Sequence, residues 1–131
     1  MINIQAQMKE LFGGSCYCYC LARLFGNTED IKLLTKFVLE GWFNGFIDND
    51  GYVAKPLKYI ELICKDKYRD VEKVDINSLT ELPKGEWIVC YEYNNNTHFV
   101  IANKDGVVFD PSGNSNSVAK GKVKSYRRFI K

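Results

Sequence analysis

The apolar positions change rhythm near residue 70: upstream they recur at helical spacing, and downstream they form short continuous or alternating runs. The first periodic stretch predicts a short helix over Ile4 to Leu11, ended by Gly13-Gly14 because two successive glycines cost too much backbone entropy to continue it. Ser15 suits the cap of a second helix, Cys16 to Phe25, closed by Gly26. Thr28 can cap a third, Glu29 to Phe43, whose Ile31, Leu34, Val38 and Trp42 follow the helical repeat. Asp48-Asn49-Asp50-Gly51 reads as a turn. Pro56 then suits the first turn of a fourth helix, Leu57 to Lys65, with Leu57, Ile60, Ile63 and Cys64 on one side.

Downstream, strands are predicted over Tyr68 to Val74, Glu86 to Tyr93, His98 to Asn103, Val107 to Asp110 and Lys122 to Ile130, in the order of a meander. The nearly all-apolar run from Glu86 to Tyr93 marks the central strand. Asn103-Lys104-Asp105-Gly106 suits a three-residue hairpin loop, Lys104 to Gly106, with Gly106 left-handed. In that register Val100 opposes Asp110, and His98, Val100, Ala102, Val108 and Asp110 share one face. His98 and Asp110 become diagonal neighbours, close enough for a carboxylate to orient an imidazole. No Pro/Ser/Gly-rich linker separates the two halves, so residues 1–131 are expected to pack as a single domain. The fold class is α+β, with an N-terminal helical layer packed on a C-terminal antiparallel sheet.

Composition narrows the partners. A chain of 131 residues can bury a sizeable core without covalent staples, and 46% hydrophobic with 26% charged residues is ordinary for a soluble domain. A net charge of +2 points to no nucleic-acid partner. No apolar run is long enough to span a bilayer, and the N-terminus lacks a basic segment followed by an apolar block, so a cytoplasmic protein with no membrane partner is expected. The cysteine count of five is odd, and three crowd into Cys16, Cys18 and Cys20, which favours reduced thiols over a disulfide framework. Lys120, Lys122, Lys124, Arg127, Arg128 and Lys131 make the last strand basic. Without an aromatic stacking motif this reads as a solvated face that discourages edge pairing.

The candidate chemistry rests on Cys16 at a helix start, His98, which is the chain's only histidine, and Asp110 on the following strand. Thiolate is the nucleophilic form of cysteine, and helix N-termini and neighbouring imidazolium groups both favour it. Asp110 would hold the imidazole in its productive orientation. Gly13 and Gly14 leave room for a substrate carbonyl to reach the first amides of the helix, and Gln7 or Gln5 could add a donor to an oxyanion hole. Cys64 and Cys90 read as core thiols, and Cys18 and Cys20 as packing residues. A zinc site of Cys16, Cys18, Cys20 and His98 is disfavoured because one residue between cysteines is poor ligand spacing. A calcium loop at Asp48 to Gly51 lacks its late glutamate. Neither a cofactor nor a metal is expected.

Gly13-Gly14-Ser15-Cys16, continuing to Leu21-Ala22, then Thr97-His98-Phe99-Val100-Ile101 and Val107-Val108-Phe109-Asp110-Pro111, resembles the papain-like superfamily, in particular its C39-like, bacteriocin-processing branch. Cys16-Tyr17, Gly41-Trp42, Asp48 to Val53, His98-Phe99-Val100 and Phe109 to Ser115 are more narrowly similar to a protein family of phage and spirochaete-plasmid genomes. The resemblance implies a papain-like architecture with Cys16 as nucleophile, His98 as general base and acid, and Asp110 as orienting residue. It implies a cysteine peptidase or related thiol acyl-transfer hydrolase acting on a peptide or protein substrate. Papain-like enzymes carry their oxyanion glutamine a short distance before the cysteine, whereas Gln7 lies nine residues upstream. The alternative is a catalytically inactive papain-like binding protein acting on a host factor.

Overall fold

A computed structural model describes residues 16–113 and 115–131, so the helix expected at Ile4 to Leu11 and the residues Gly13, Gly14 and Ser15 lie outside the described residues. Helices α1 (Cys16–Gly26), α2 (Ile31–Phe43) and α3 (Pro56–Cys64) come first. Strands β1 (Asp70–Asp75), β2 (Trp87–Tyr93), β3 (Asn96–Asn103) and β4 (Gly106–Phe109) follow, then a short helix α4 (Asn116–Lys120) and β5 (Lys122–Ile130). The architecture is α+β, an N-terminal helical segment packed on a five-stranded antiparallel sheet.

Helix α1 buries Cys16, Cys18, Tyr19, Cys20, Leu21 and Ala22, an apolar surface too wide for one stripe. Such a helix belongs in the middle of a protein, and α1 lies between β3 on one side and α2 and α3 on the other. Helix α2 begins two residues later than its pattern predicts. Asp30, not Thr28, is the cap, accepting from the Lys32 and Leu33 amides, while Thr28 Oγ1 accepts from the Asp30 amide one step outside. Its inner stripe is Leu34, Val38 and Gly41, and Trp42 stays 43% exposed. Gly41 is what turns the stripe: a Cβ there would stand 2.6 Å from the Tyr59 ring and 2.7 Å from Ile47 Cδ1.

The sheet order is β1-β5-β2-β3-β4. Strands β2, β3 and β4 form the expected meander, but β5 returns to lie between β1 and β2. The basic strand is therefore internal rather than a solvated edge. It earns that place by carrying apolar groups to both faces, Phe129 toward the helices and Tyr126 away from them. The helix-side core joins Ile88, Ile101 and Phe109 to α1, α2 and α3. The opposite core joins Val89, Tyr91, Val100, Ala102 and Tyr126 to Ile76, Leu82 and Val118 of α4. Each fully buried aliphatic side chain contributes about 1.5–3 kcal/mol.

The β2–β3 hairpin turns at Asn94-Asn95, whose φ values of 50° and 65° fit a type I′ turn. The β3–β4 hairpin corrects the predicted loop. Asn103 pairs with Gly106, so the loop is two residues, Lys104-Asp105, with Asn103 Oδ1 accepting from the Asp105 amide. A bulge follows. Val107 faces Ala102 but Phe109 faces Ile101, which leaves Val108 as the extra residue and moves it to the helix side rather than beside Val100 and Ala102. Past the bulge the register is the one expected. Among the described residues no helix is long and apolar enough to cross a membrane.

Candidate active site

Cys16 is the first residue of α1, where the opening amides have no intrahelical partners and the helix dipole favours negative charge. Its Sγ accepts a hydrogen bond from the Phe99 amide at 3.1 Å. That contact exists because β4 is short. Its pairing ends with Phe109 opposite Ile101, so residues 96–100 of β3 run past it and leave that side of the strand to the start of α1.

His98 and Asp110 meet in the same place. His98 Nε2 lies 2.7 Å from Asp110 Oδ1, and both residues are buried. With Nε2 engaged, Nδ1 is the ring nitrogen left to the Cys16 thiol. Burial alone would favour a neutral ring, but hydrogen bonding to Asp110 and to Cys16, with the charges of both, outweighs it and raises the His98 pKa to about 9. Asp110 is shifted the other way. Burial opposes its charge, and the His98 hydrogen bond, the Ser112 amide, the His98 charge and Ser115 together hold its carboxyl below the usual range. The turn after β4 supplies this cradle: the Ser112 amide donates to Asp110 Oδ1 at 2.9 Å and the Ser115 amide to Oδ2 at 3.2 Å.

A cleft of about 490 Å³ opens at Cys16, walled by Tyr17, Tyr52 and Pro56 on the helical side and by His98, Phe99 and Arg127 on the sheet side. Between Tyr17 of α1 and Pro56 of α3, this wall is the loop after α2, and it is braced. Asp48 Oδ1 accepts from the Asp50 and Tyr52 amides, Ile47 bridges Val53, and the Trp42 indole N–H donates to Asn49 Oδ1 at 2.8 Å. The expected turn at Asp48 to Gly51 is thus a backbone-braced wall. The Tyr17 and Phe99 rings lie 4.8 Å apart, and burial pushes the Tyr17 phenol up to about 12, which keeps it neutral.

Of the residues singled out in the sequence, Cys16, His98 and Asp110 come together, whereas Gln5 and Gln7 lie outside the described residues. The remaining thiols are placed for packing. Burial, then the neighbouring Cys16, Cys18 and Asp110 charges, pushes Cys20 up, and burial does the same to Cys90. The Cys64 thiol donates to the Ile60 carbonyl oxygen within its own helix. Among the described residues, Cys16, Cys18, Cys20 and His98 do not converge on a point that could hold a metal ion. Sequence reasoning missed the wall at Tyr52 and Pro56, the Phe99 amide and Arg127. The alternation of Ser125, Arg127 and Phe129 along β5 was the available signal for Arg127, once that strand is known to be internal. No family model matches the chain, and no curated protein or solved structure matches it.

Proposed function

We propose that the chain is a papain-like cysteine hydrolase that cleaves a peptide or isopeptide bond by acyl transfer to Cys16. The observation that carries this reading is the 2.7 Å contact between Asp110 and His98, with the ring's other nitrogen left to a thiol at a helix start. A ring that stays protonated at neutral pH is the positive partner a Cys16 thiolate needs, and the Phe99 amide and the first turn of α1 supply further stabilisation of its charge.

In the first half-reaction the thiolate attacks the substrate carbonyl carbon, and the oxyanion that forms faces the opening amides of the helix. The carbon–nitrogen bond then breaks as the His98 imidazolium gives its proton to the leaving amine, which leaves a thioester on Cys16. In the second half the neutral ring takes a proton from water, the resulting hydroxide attacks the thioester, and the released Cys16 sulfur pairs again with imidazolium. Asp110 stays ionised throughout and positions the ring.

Brief treatment of the native protein with iodoacetamide at about pH 6, below the ordinary thiol range, tests this directly. Selective alkylation of Cys16 that falls at least about tenfold in His98→Ala is expected. Slow, unselective labelling, or labelling indifferent to His98, would overturn the catalytic reading and leave a binding protein.

A further inference from the structure

Arg127 stands where the basic run of the last strand meets the Cys16 cleft. Strand alternation turns Ser125, Arg127 and Phe129 to the helix side, and Arg127 lies on the part of that face left open. Its guanidinium carbon sits 5.1 Å from the centre of the Phe99 ring, and Nη1 donates to the buried Ser125 Oγ at 2.9 Å. The ring contact and the Ser125 hydrogen bond hold a group with five donors, and among the described residues the rest of the fork makes no hydrogen bond. Phe99 is also the residue whose amide holds Cys16 Sγ, so the cation is tied to the reacting sulfur through one side chain and its backbone.

A second depression of about 610 Å³ crosses the open floor of the sheet and shares Thr97, Phe99 and Arg127 with the Cys16 cleft, so the two form one continuous groove. Arg127 is the cation at their junction. Of the cations facing the two depressions, Lys124 pairs with Glu92, whereas among the described residues Arg127 and Lys73 make no ion pair even though Asp75 lines the same floor. Asp50 faces the same cleft from the opposite wall and makes no ion pair with Arg127. A half-buried, preoriented guanidinium beside a nucleophile, left without an anion by its own fold, is built to receive one from outside.

We propose that Arg127 determines substrate specificity by binding a carboxylate next to the scissile bond, from an acidic side chain or from a free C-terminus. This rests on the proposed function of Cys16, and the test separates the two. Cys16 alkylation is followed with neutral iodoacetamide and anionic iodoacetate in the wild type, Arg127→Gln and Arg127→Lys. Arg127→Gln should lower the iodoacetate rate relative to the iodoacetamide rate by about twofold to fivefold, the upper part of the range for an exposed charge pair, and Arg127→Lys should restore most of it. Taking the ratio of the two rates within each protein removes any general change in Cys16 reactivity, and an unchanged thermal unfolding midpoint certifies that each variant is still folded. Short acetylated peptides then compete with iodoacetamide, Glu against Gln with an amidated end, and free acid against amide without acidic side chains. Whichever acid protects Cys16 better than its neutral counterpart, and only while Arg127 is present, names the source. An anion preference that survives Arg127→Gln, while labelling still depends on His98, overturns this proposal alone. Labelling that is independent of His98 overturns the catalytic reading and this one with it.

Discussion

Replacing Asp110 by Asn tests the site where its electrostatics are strongest. The chain has one histidine, so every imidazole signal in a proton NMR titration belongs to His98. Raising that ring from 6.5 to about 9 corresponds to roughly 3 kcal/mol of preference for the charged form, won against a burial that opposes it. The hydrogen bond to Asp110 leads the favourable contributions, with the one to Cys16 after it. Asn keeps the shape and an accepting oxygen but removes the charge, and the burial remains. The His98 midpoint should therefore fall by about one to two pH units in Asp110→Asn, and by less in Cys16→Ser. A wild-type midpoint near 6.5 that neither variant moves would refute the reasoning.

The same shift fixes a dependence of stability on pH. His98 has a folded pKa above its unfolded value, so its contribution is complete below about 6.5 and is lost as the pH rises through about 9. Asp110 is shifted down, so its contribution holds above the ordinary carboxylate range and is lost as acid protonates it. Denaturant titration should show Asp110→Asn less stable than wild type by about 1–2 kcal/mol at pH 6, with the gap closing by pH 10. A gap of constant size across that range would mean that Asp110 acts through packing and not through charge.

Two substitutions test the helical layer. Gly41→Ala would ordinarily strengthen a helix by about 0.8–1.0 kcal/mol, but the added Cβ meets Tyr59 at 2.6 Å and Ile47 at 2.7 Å, both fully buried, so a net loss of about 1–3 kcal/mol in denaturant melts is expected. A neutral or stabilising outcome would show that the Tyr59 ring can move aside. Asp30→Ala removes the acceptor of two amides at the start of α2 and should cost about 1 kcal/mol, with Asp30→Ser recovering most of it, as thermal unfolding of the three proteins would show.

The helices were legible because their signals are local. Pro56 opens α3 as its local signal says, and α1 ends where expected, but the left-handed residue that closes it is Asn27, with φ of 50°, while Gly26 stays in the helix where a Cβ would meet the Phe37 ring at 2.7 Å. The apolar repeat of α2 was also read, but its stripe was assigned to Trp42 when Gly41 beside it is the buried position. A pattern of hydrophobic residues cannot register a glycine chosen because two side chains from elsewhere need its space. The position of β5 was hidden for a related reason. Its lysines and arginines read as an edge, and only the later pairing with β1 and β2 shows that Phe129 and Tyr126 serve two different cores.

The His98–Asp110 pair shows how a local misreading can leave a distant relationship intact. A two-residue loop in place of the predicted three shifts the β3–β4 register by one residue, and carried through unaltered it would have moved Asp110 away from its expected place opposite Val100. The bulge at Val108 cancels the shift, and packing explains why it is there. Val107 belongs to the core beneath α4 and Phe109 to the core beneath α1, yet residues two apart on a regular strand face the same way. Only an extra residue between them lets each pack into its own core. Nothing in Val107-Val108-Phe109 announces this, since all three are apolar and suit either face. The two cores enforce the bulge, the bulge restores the register, and the strand then ends at Phe109, one residue before the carboxylate that meets His98.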